Sequence, residues 1–148
     1  MGFVGVDPGG NGAAAYCDND GGNVQVFNFK DQSVQDIGRT MQEMCKGQSV
    51  LLEKVHSMPR QGVVSMFTFG QNFGHVEMAL ALSNCRYEYV VPFKWQKYYS
   101  LTGLHSCTSS EKKRKHKEKA QQLFPDIKIT LANCDALLIM DYHMAKAK

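Results

Sequence analysis

With 148 residues, 43% of them hydrophobic, and a formal charge of +3, the chain holds enough material for one domain with a real core, spanning 1–148. Its apolar runs fall well short of the roughly 18–20 residues that a membrane span needs, which excludes a membrane-crossing helix. Cys17, Cys45, Cys85, Cys107 and Cys134 are odd in number and form no CxxC pair, so neither a disulfide framework nor a zinc cluster is supported, and free thiols in a reducing, intracellular compartment are expected.

In chain order, Phe3–Val6 reads as an apolar strand and Ala13–Cys17 as its hairpin partner across a glycine-rich turn. The turn signal "DNDGGN" leads into the alternating "VQVFNF", a third strand over Val24–Phe29. Ser33 is placed to cap a helix in which Val34, Ile37, Met41 and Met44/Cys45 recur at helical spacing, with "KGQS" ending it. "VLLE", Val50–Glu53, suits a buried parallel strand. A long apolar helix is expected from Val63 to about Asn84, interrupted at Gly70 and Gly74, and "YEYVVP", Tyr87–Pro92, reads as another strand. Thr108 or Ser109 caps a basic helix running to Leu123, and Cys134–Ala145 is the last helix. A three-stranded meander followed by alternating helices and strands is a mixed α/β layer fold, one sheet covered by helices.

Three acids end or open buried elements. Asp7 closes the first strand and Glu53 closes "VLLE", while Asp135 stands at the start of an otherwise apolar helix. Two of them also have an ordinary explanation: Asp7 as a turn former before proline, Asp135 as an acid favoured by the helix dipole. Groups at the ends of neighbouring strands nevertheless converge on one sheet edge. Like charges a few ångström apart raise one another's pKa, and a divalent cation removes that cost. Mg²⁺ takes hard oxygen ligands and bridges to phosphates, and two such ions suit phosphodiester hydrolysis. Glycines after Asp7 would let a phosphate backbone approach.

Glu111–Lys119, "EKKRKHKEK", carries six Lys/Arg against two Glu, a local +4, and leaves the remainder at −1. Such a run is often only a solvated helix surface. Here too few acids interleave to neutralise it, which favours a polyanion partner. Lys112, Lys113, Arg114 and Lys115 are therefore candidates for contacting phosphate, without reading sequence. In the glycine-bearing loop after Glu53, Arg60 and Gln61 are candidates for contacting DNA, with Met58 beside them as an apolar wedge. Lys94 and Lys97 are candidates in "FKWQKYY", where Trp95 reads as core. Phe67, Phe69 and Phe73 read as core or as a subunit interface. His56, His75 and His143 read as structural, with His56 close enough to Glu53 in sequence to lie near a metal.

Taken together, "GVDPGGNGA", "LLEKVHSMPRQGVVSMFTFGQNFG", "VVPFKWQKYYSLTG" and "CDALLIMDY" resemble, in order and over almost the whole chain, the motifs of RuvC-type Holliday junction resolvases, especially the phage-type branch and its plant plastid cousin. The resemblance implies an RNase H-like fold of the retroviral integrase superfamily, with a five-stranded mixed sheet flanked by helices. It also implies a homodimer that binds a four-way DNA junction and nicks it in pairs, using Mg²⁺ or Mn²⁺ and no organic cofactor. Asp7, Glu53 and Asp135 match the family's first-strand, fourth-strand and last-helix acids, as catalytic residues and metal ligands. One position departs: Ala132 stands where a further acid or histidine is usual. Asp141, six residues past Asp135, is turned by roughly 240° around the helix and is no replacement. Asn133 is the one neutral donor nearby. A junction-binding protein that has lost cleavage and an RNase H-like nuclease for other branched or hybrid substrates are the two alternative readings. Phage, bacterial cytoplasm and organelle all remain open as the setting.

Overall fold

The computed structural model describes residues 1–56 and 62–148. Its strands are β1 (Phe3–Asp7), β2 (Ala13–Cys17), β3 (Gln25–Asn28), β4 (Ser49–Glu53) and β5 (Arg86–Val90). The helices are α1 (Val34–Cys45), α2 (Val63–Leu82), α3 (Pro92–Tyr98), α4 (Ser109–Leu123) and α5 (Cys134–Ala147). The sheet order is β3-β2-β1-β4-β5. Strands β1, β2 and β3 form an antiparallel meander, and β4 runs parallel to both β1 and β5. This is the five-stranded mixed sheet flanked by helices that the sequence motifs imply.

Period-two alternation decides which helices cover which face. Val4, Val6, Ala14, Val50 and Leu52 pack with Met41 and Cys45 of α1 and Val76 and Leu80 of α2. Phe3, Ala13, Ala15 and Leu51 point the other way, into a core with Trp95 and the apolar body of α5. Helix α5 is buried almost all round from Cys134 to Met140, as a helix without a polar face must be. It lies directly on β1 because Gly5 has no side chain: a Cβ there would sit 2.2 Å from the Met140 nitrogen and 2.4 Å from the Ala136 oxygen.

Three sequence expectations need correction. Helix α2 runs through Gly70 and Gly74 without interruption, since an isolated glycine costs a helix only about 1 kcal/mol. It stops at Ser83, whose hydroxyl donates to the Leu80 carbonyl, and Asn84 turns left-handed at φ 53°. The strand read over Tyr87–Pro92 ends at Val90. Pro92 instead opens α3, a helix the apolar pattern did not reveal, because its fixed φ and missing N–H suit the first helical position. Strand β3 is shorter than Val24–Phe29, its ladder with β2 closing at Gln25 and Asn28. By contrast, Ser33 caps α1 as read, and Thr108 rather than Ser109 caps α4. Thr108 forms a full capping box, its hydroxyl accepting from the Glu111 N–H while Glu111 accepts from the Thr108 N–H.

Candidate functional site

Strands β1 and β4 run parallel in register, Val6 beside Leu52. Asp7 and Glu53 therefore stand next to each other at the same sheet edge, both on the α5 side. Asp7 is held by its turn: the Gly9 N–H donates to its Oδ1 at 3.3 Å, and Gly12 passes so close beneath that a Cβ would meet the Asp7 carbonyl oxygen at 2.1 Å. At least one glycine after Asp7 thus serves the turn itself, a role the sequence reading gave to phosphate access. The close seating of α5 on Gly5 brings its first turn, with Asp135, to the same edge.

Asp135 is buried and fully engaged. Its Oδ2 accepts from Lys113 Nζ at 2.5 Å, and its Oδ1 lies 2.8 Å from His116 Nδ1. The same Lys113 ammonium is 3.9 Å from Asp7 Oδ2, so those two carboxylate oxygens can be no farther apart than the sum of the two contacts. Glu53, also buried, accepts from the Trp95 indole N–H at 2.9 Å. The structure thus brings Asp7, Glu53 and Asp135 to one place. Among the described residues, however, no three His, Cys, Asp or Glu side chains are gathered into a ready-made metal cage; an ammonium stands between two of the acids.

The charge of the cluster is strongly perturbed. Burial, then the neighbouring Asp135, pushes the Asp7 carboxyl up to about 6. Burial, then the charges of Asp7 and Asp135, raises Glu53 to about 8. Burial alone would raise Asp135 as well, but the His116 hydrogen bond and the Lys113 ammonium carry it below its ordinary value. Lys113 is held protonated by Asp135 and Asp7 against the opposing effect of its own burial. Two strained carboxyls and one satisfied one form a site with surplus negative charge and hard oxygen donors. That donor set fits Mg²⁺ or Mn²⁺.

The basic helix divides in a way the sequence reading did not anticipate. Lys112, Arg114 and Lys115 are exposed, whereas Lys113 turns into the acids and His116 is buried. Lys113, read from the sequence as a phosphate contact, is paired with Asp135 and Asp7 in this structure. On α4, Lys113, His116 and Ala120 lie at i, i+3 and i+7, one stripe facing the core. A lone histidine interrupting a lysine run, in phase with an alanine, was the available signal. Lys94 and Lys97 are exposed on α3, with Lys97 over the Phe93 ring. Arg60, Gln61 and Met58 lie outside the described residues. His56 is exposed, and His143 is bonded to Ser49 and set edge-on to Phe3, a structural role.

Among the described residues, neither Asn133 nor Asp141 replaces the missing acid beside Asp135. The Asn133 amide is spent, its Oδ1 accepting from the Thr130 N–H and its Nδ2 donating to the Lys128 carbonyl. Asp141 faces elsewhere and accepts from the Tyr99 hydroxyl. Trp95 is core, as read, but its N–H makes it part of the site. No helix among the described residues is long and apolar enough to cross a membrane.

No protein-family model and no curated protein sequence matches the chain. Solved structures do. The chain is similar to RuvC of Thermus thermophilus with a TM-score of 0.66 at 18% identity, over 99% of this chain and 95% of that one. It is similar to T. thermophilus RuvC in complex with Holliday junction substrate with a TM-score of 0.60 at 17% identity, over 99% and 94%. At these identities the likeness is one of fold: the chain has the RNase H-like fold of RuvC.

Proposed function

We propose that this protein is a structure-selective DNA endonuclease that resolves four-way junctions, in the manner of the phage-type and plastid members of the RuvC group. The observation that carries the reading is the meeting of Asp7, Glu53 and Asp135, from three separate elements, at one sheet edge beside a strongly basic helix. A fold shared along nearly the whole length of a protein solved with a Holliday junction supports the same substrate.

Asp7, Glu53 and Asp135 would hold Mg²⁺, or Mn²⁺ in its place, as a pair of ions. When bound, the metal supplies Lewis acidity for phosphodiester hydrolysis and neutralises the carboxylates. The chain's own residues do the remainder. Burial on the α5 side limits water around the acids, and Lys113 carries the countercharge while no metal is there. Lys112, Arg114 and Lys115, with Lys94 and Lys97, offer cations to phosphate. Arg60 and Gln61 keep their assignment to the junction through sequence alone.

Two copies would act together, since a four-way junction has two equivalent scissile strands. Helix α2 supports this: Val63, Phe67, Met78 and Leu82 are 83, 68, 61 and 65% exposed and line one stripe with Gly70 and Gly74. Five free cysteines suit a reducing, intracellular setting.

A second reading is favoured by one observation. Ala132 offers no ligand and Asn133 is occupied, so a junction-binding protein with weakened cleavage remains the competing description. Incubating a synthetic four-way junction with the protein and Mg²⁺ separates the two, with Asp7→Asn, Glu53→Gln and Asp135→Asn as controls. Paired nicks that each substitution abolishes, with binding kept, support the endonuclease. Binding with no nicking by the unsubstituted protein supports the second reading. Preferential cutting of an RNA–DNA hybrid would overturn both.

A further inference from the structure

Each of the two most buried acids is tied on one side by an aromatic side chain from a different element. Trp95 of α3, fully buried, donates its indole N–H to Glu53 Oε1 at 2.9 Å. His116 of α4, also buried, places Nδ1 2.8 Å from Asp135 Oδ1. The two rings touch each other edge to face, their centroids 5.2 Å apart at 74°. Glu53 belongs to β4 and Asp135 to α5, so four elements meet through one chain of contacts: carboxylate, indole, imidazole, carboxylate. The division of oxygens is the informative part. On Asp135 the imidazole takes Oδ1, and Oδ2 is left to the ammonium that it shares with Asp7. On Glu53 the indole takes Oε1.

We infer that Trp95 and His116 form a buried bracket that fixes the spacing and orientation of the Glu53 and Asp135 carboxylates for a divalent cation. Both are positioning residues: they act through the acids. A carboxylate with one oxygen already bonded cannot rotate freely, so less order must be imposed when the cation arrives. Loss of such supporting hydrogen bonds typically costs about 10- to 100-fold in metal affinity. The packing of one ring on the other makes the two supports a single unit. The inference rests on the proposed reading of the acids as metal ligands.

The test uses the fact that Trp95 is the single tryptophan, so its indole N–H gives one assignable NMR resonance in the full chain. In the metal-free protein, Glu53→Gln should shift this resonance toward that of a weaker hydrogen bond, and His116→Leu should move it through the ring contact. A resonance indifferent to both substitutions overturns the bracket whatever metal does. Mn²⁺ binding, followed by electron paramagnetic resonance, supplies the second readout. Trp95→Phe and His116→Leu should each weaken it about tenfold, and the double substitution should weaken it by less than the product of the two. His116→Asn, which returns an N–H near the Nδ1 position, should recover most of the affinity. Unchanged Mn²⁺ affinity in Trp95→Phe and His116→Leu, where Asp7→Asn abolishes binding, overturns the bracket and leaves the metal reading standing. Failure of the unsubstituted protein to bind Mn²⁺ removes that reading and the bracket's purpose with it.

Discussion

Glu53 is the side chain on which the charge balance of the site turns. Its carboxyl is raised from an ordinary 4.5 to about 8, by burial first and by Asp7 and Asp135 next. Asp7 is raised from 3.8 to about 6. In the window between each ordinary value and its raised one, the folded metal-free chain binds protons that the unfolded chain has released. Stability contributed in this way is present at low pH and lost as pH rises through that window. The melting temperature of the metal-free protein should therefore fall as pH climbs from about 5 to about 8. Glu53→Gln should flatten that fall and raise the midpoint at pH 8 by several degrees, read by circular dichroism melts. Mn²⁺ should do the same for the unsubstituted protein, since it replaces the protons. A melting temperature that rises with pH across this range would show that the acids are not held as described.

At the level of elements, two contacts decide whether the site exists. Helix α5 can deliver Asp135 only because Gly5 lets it lie on β1. In Gly5→Ala the added methyl meets backbone atoms at 2.2 and 2.4 Å, where no side chain can swing aside. Overpacking of side chains costs roughly 1–3 kcal/mol, and a backbone obstacle puts this case at or beyond the upper end. A drop of about 10 °C in melting temperature is expected, together with loss of nicking as Asp135 is carried away from Asp7. Helix α4 contributes differently on its two sides. Replacing the exposed Lys112, Arg114 and Lys115 by alanine should weaken junction binding. It should also reduce the steepness of log K against log salt by up to about 3, each phosphate contact contributing about 0.9. Titrations at several salt concentrations measure it. An unchanged slope would mean that the exposed face is only solvated, while Lys113 continues to serve the acids.

For the whole molecule, the exposed Val63, Phe67, Met78 and Leu82 of α2 are the surface that the proposed second copy would cover, since isolated surface hydrophobics are ordinary but a grouping of them is suited to an interface. In the proposed dimer, Phe67→Glu with Met78→Glu should separate the two copies, as read by sedimentation or light scattering. Junction nicking should then lose its pairing, yielding single nicks in place of resolved products. An unsubstituted chain that sediments as a monomer at micromolar concentration would overturn the proposed pairing of two copies.

Local rules made the strands, the Ser33 cap, the Thr108 capping box and the buried α5 legible, since alternation, turn residues and capping side chains act within a few positions of chain. The three acids could be nominated because each ends or opens an apolar run. The sequence by itself therefore determined an α/β layer fold, a set of candidate carboxylates and a basic helix. What it could not decide was partnership across elements. Lys113 reads as one more cation in a run of six, and His116 as an interruption of it, until packing of α4 on α5 turns both toward Asp135. Trp95 reads as core until α3, opened by a proline the pattern misassigned to a strand, sets its N–H against Glu53. The distances between residues 53 and 95, or 116 and 135, depend on how helices seat on the sheet. That seating is fixed by close approaches such as Gly5 beneath α5, which only the tertiary structure contains.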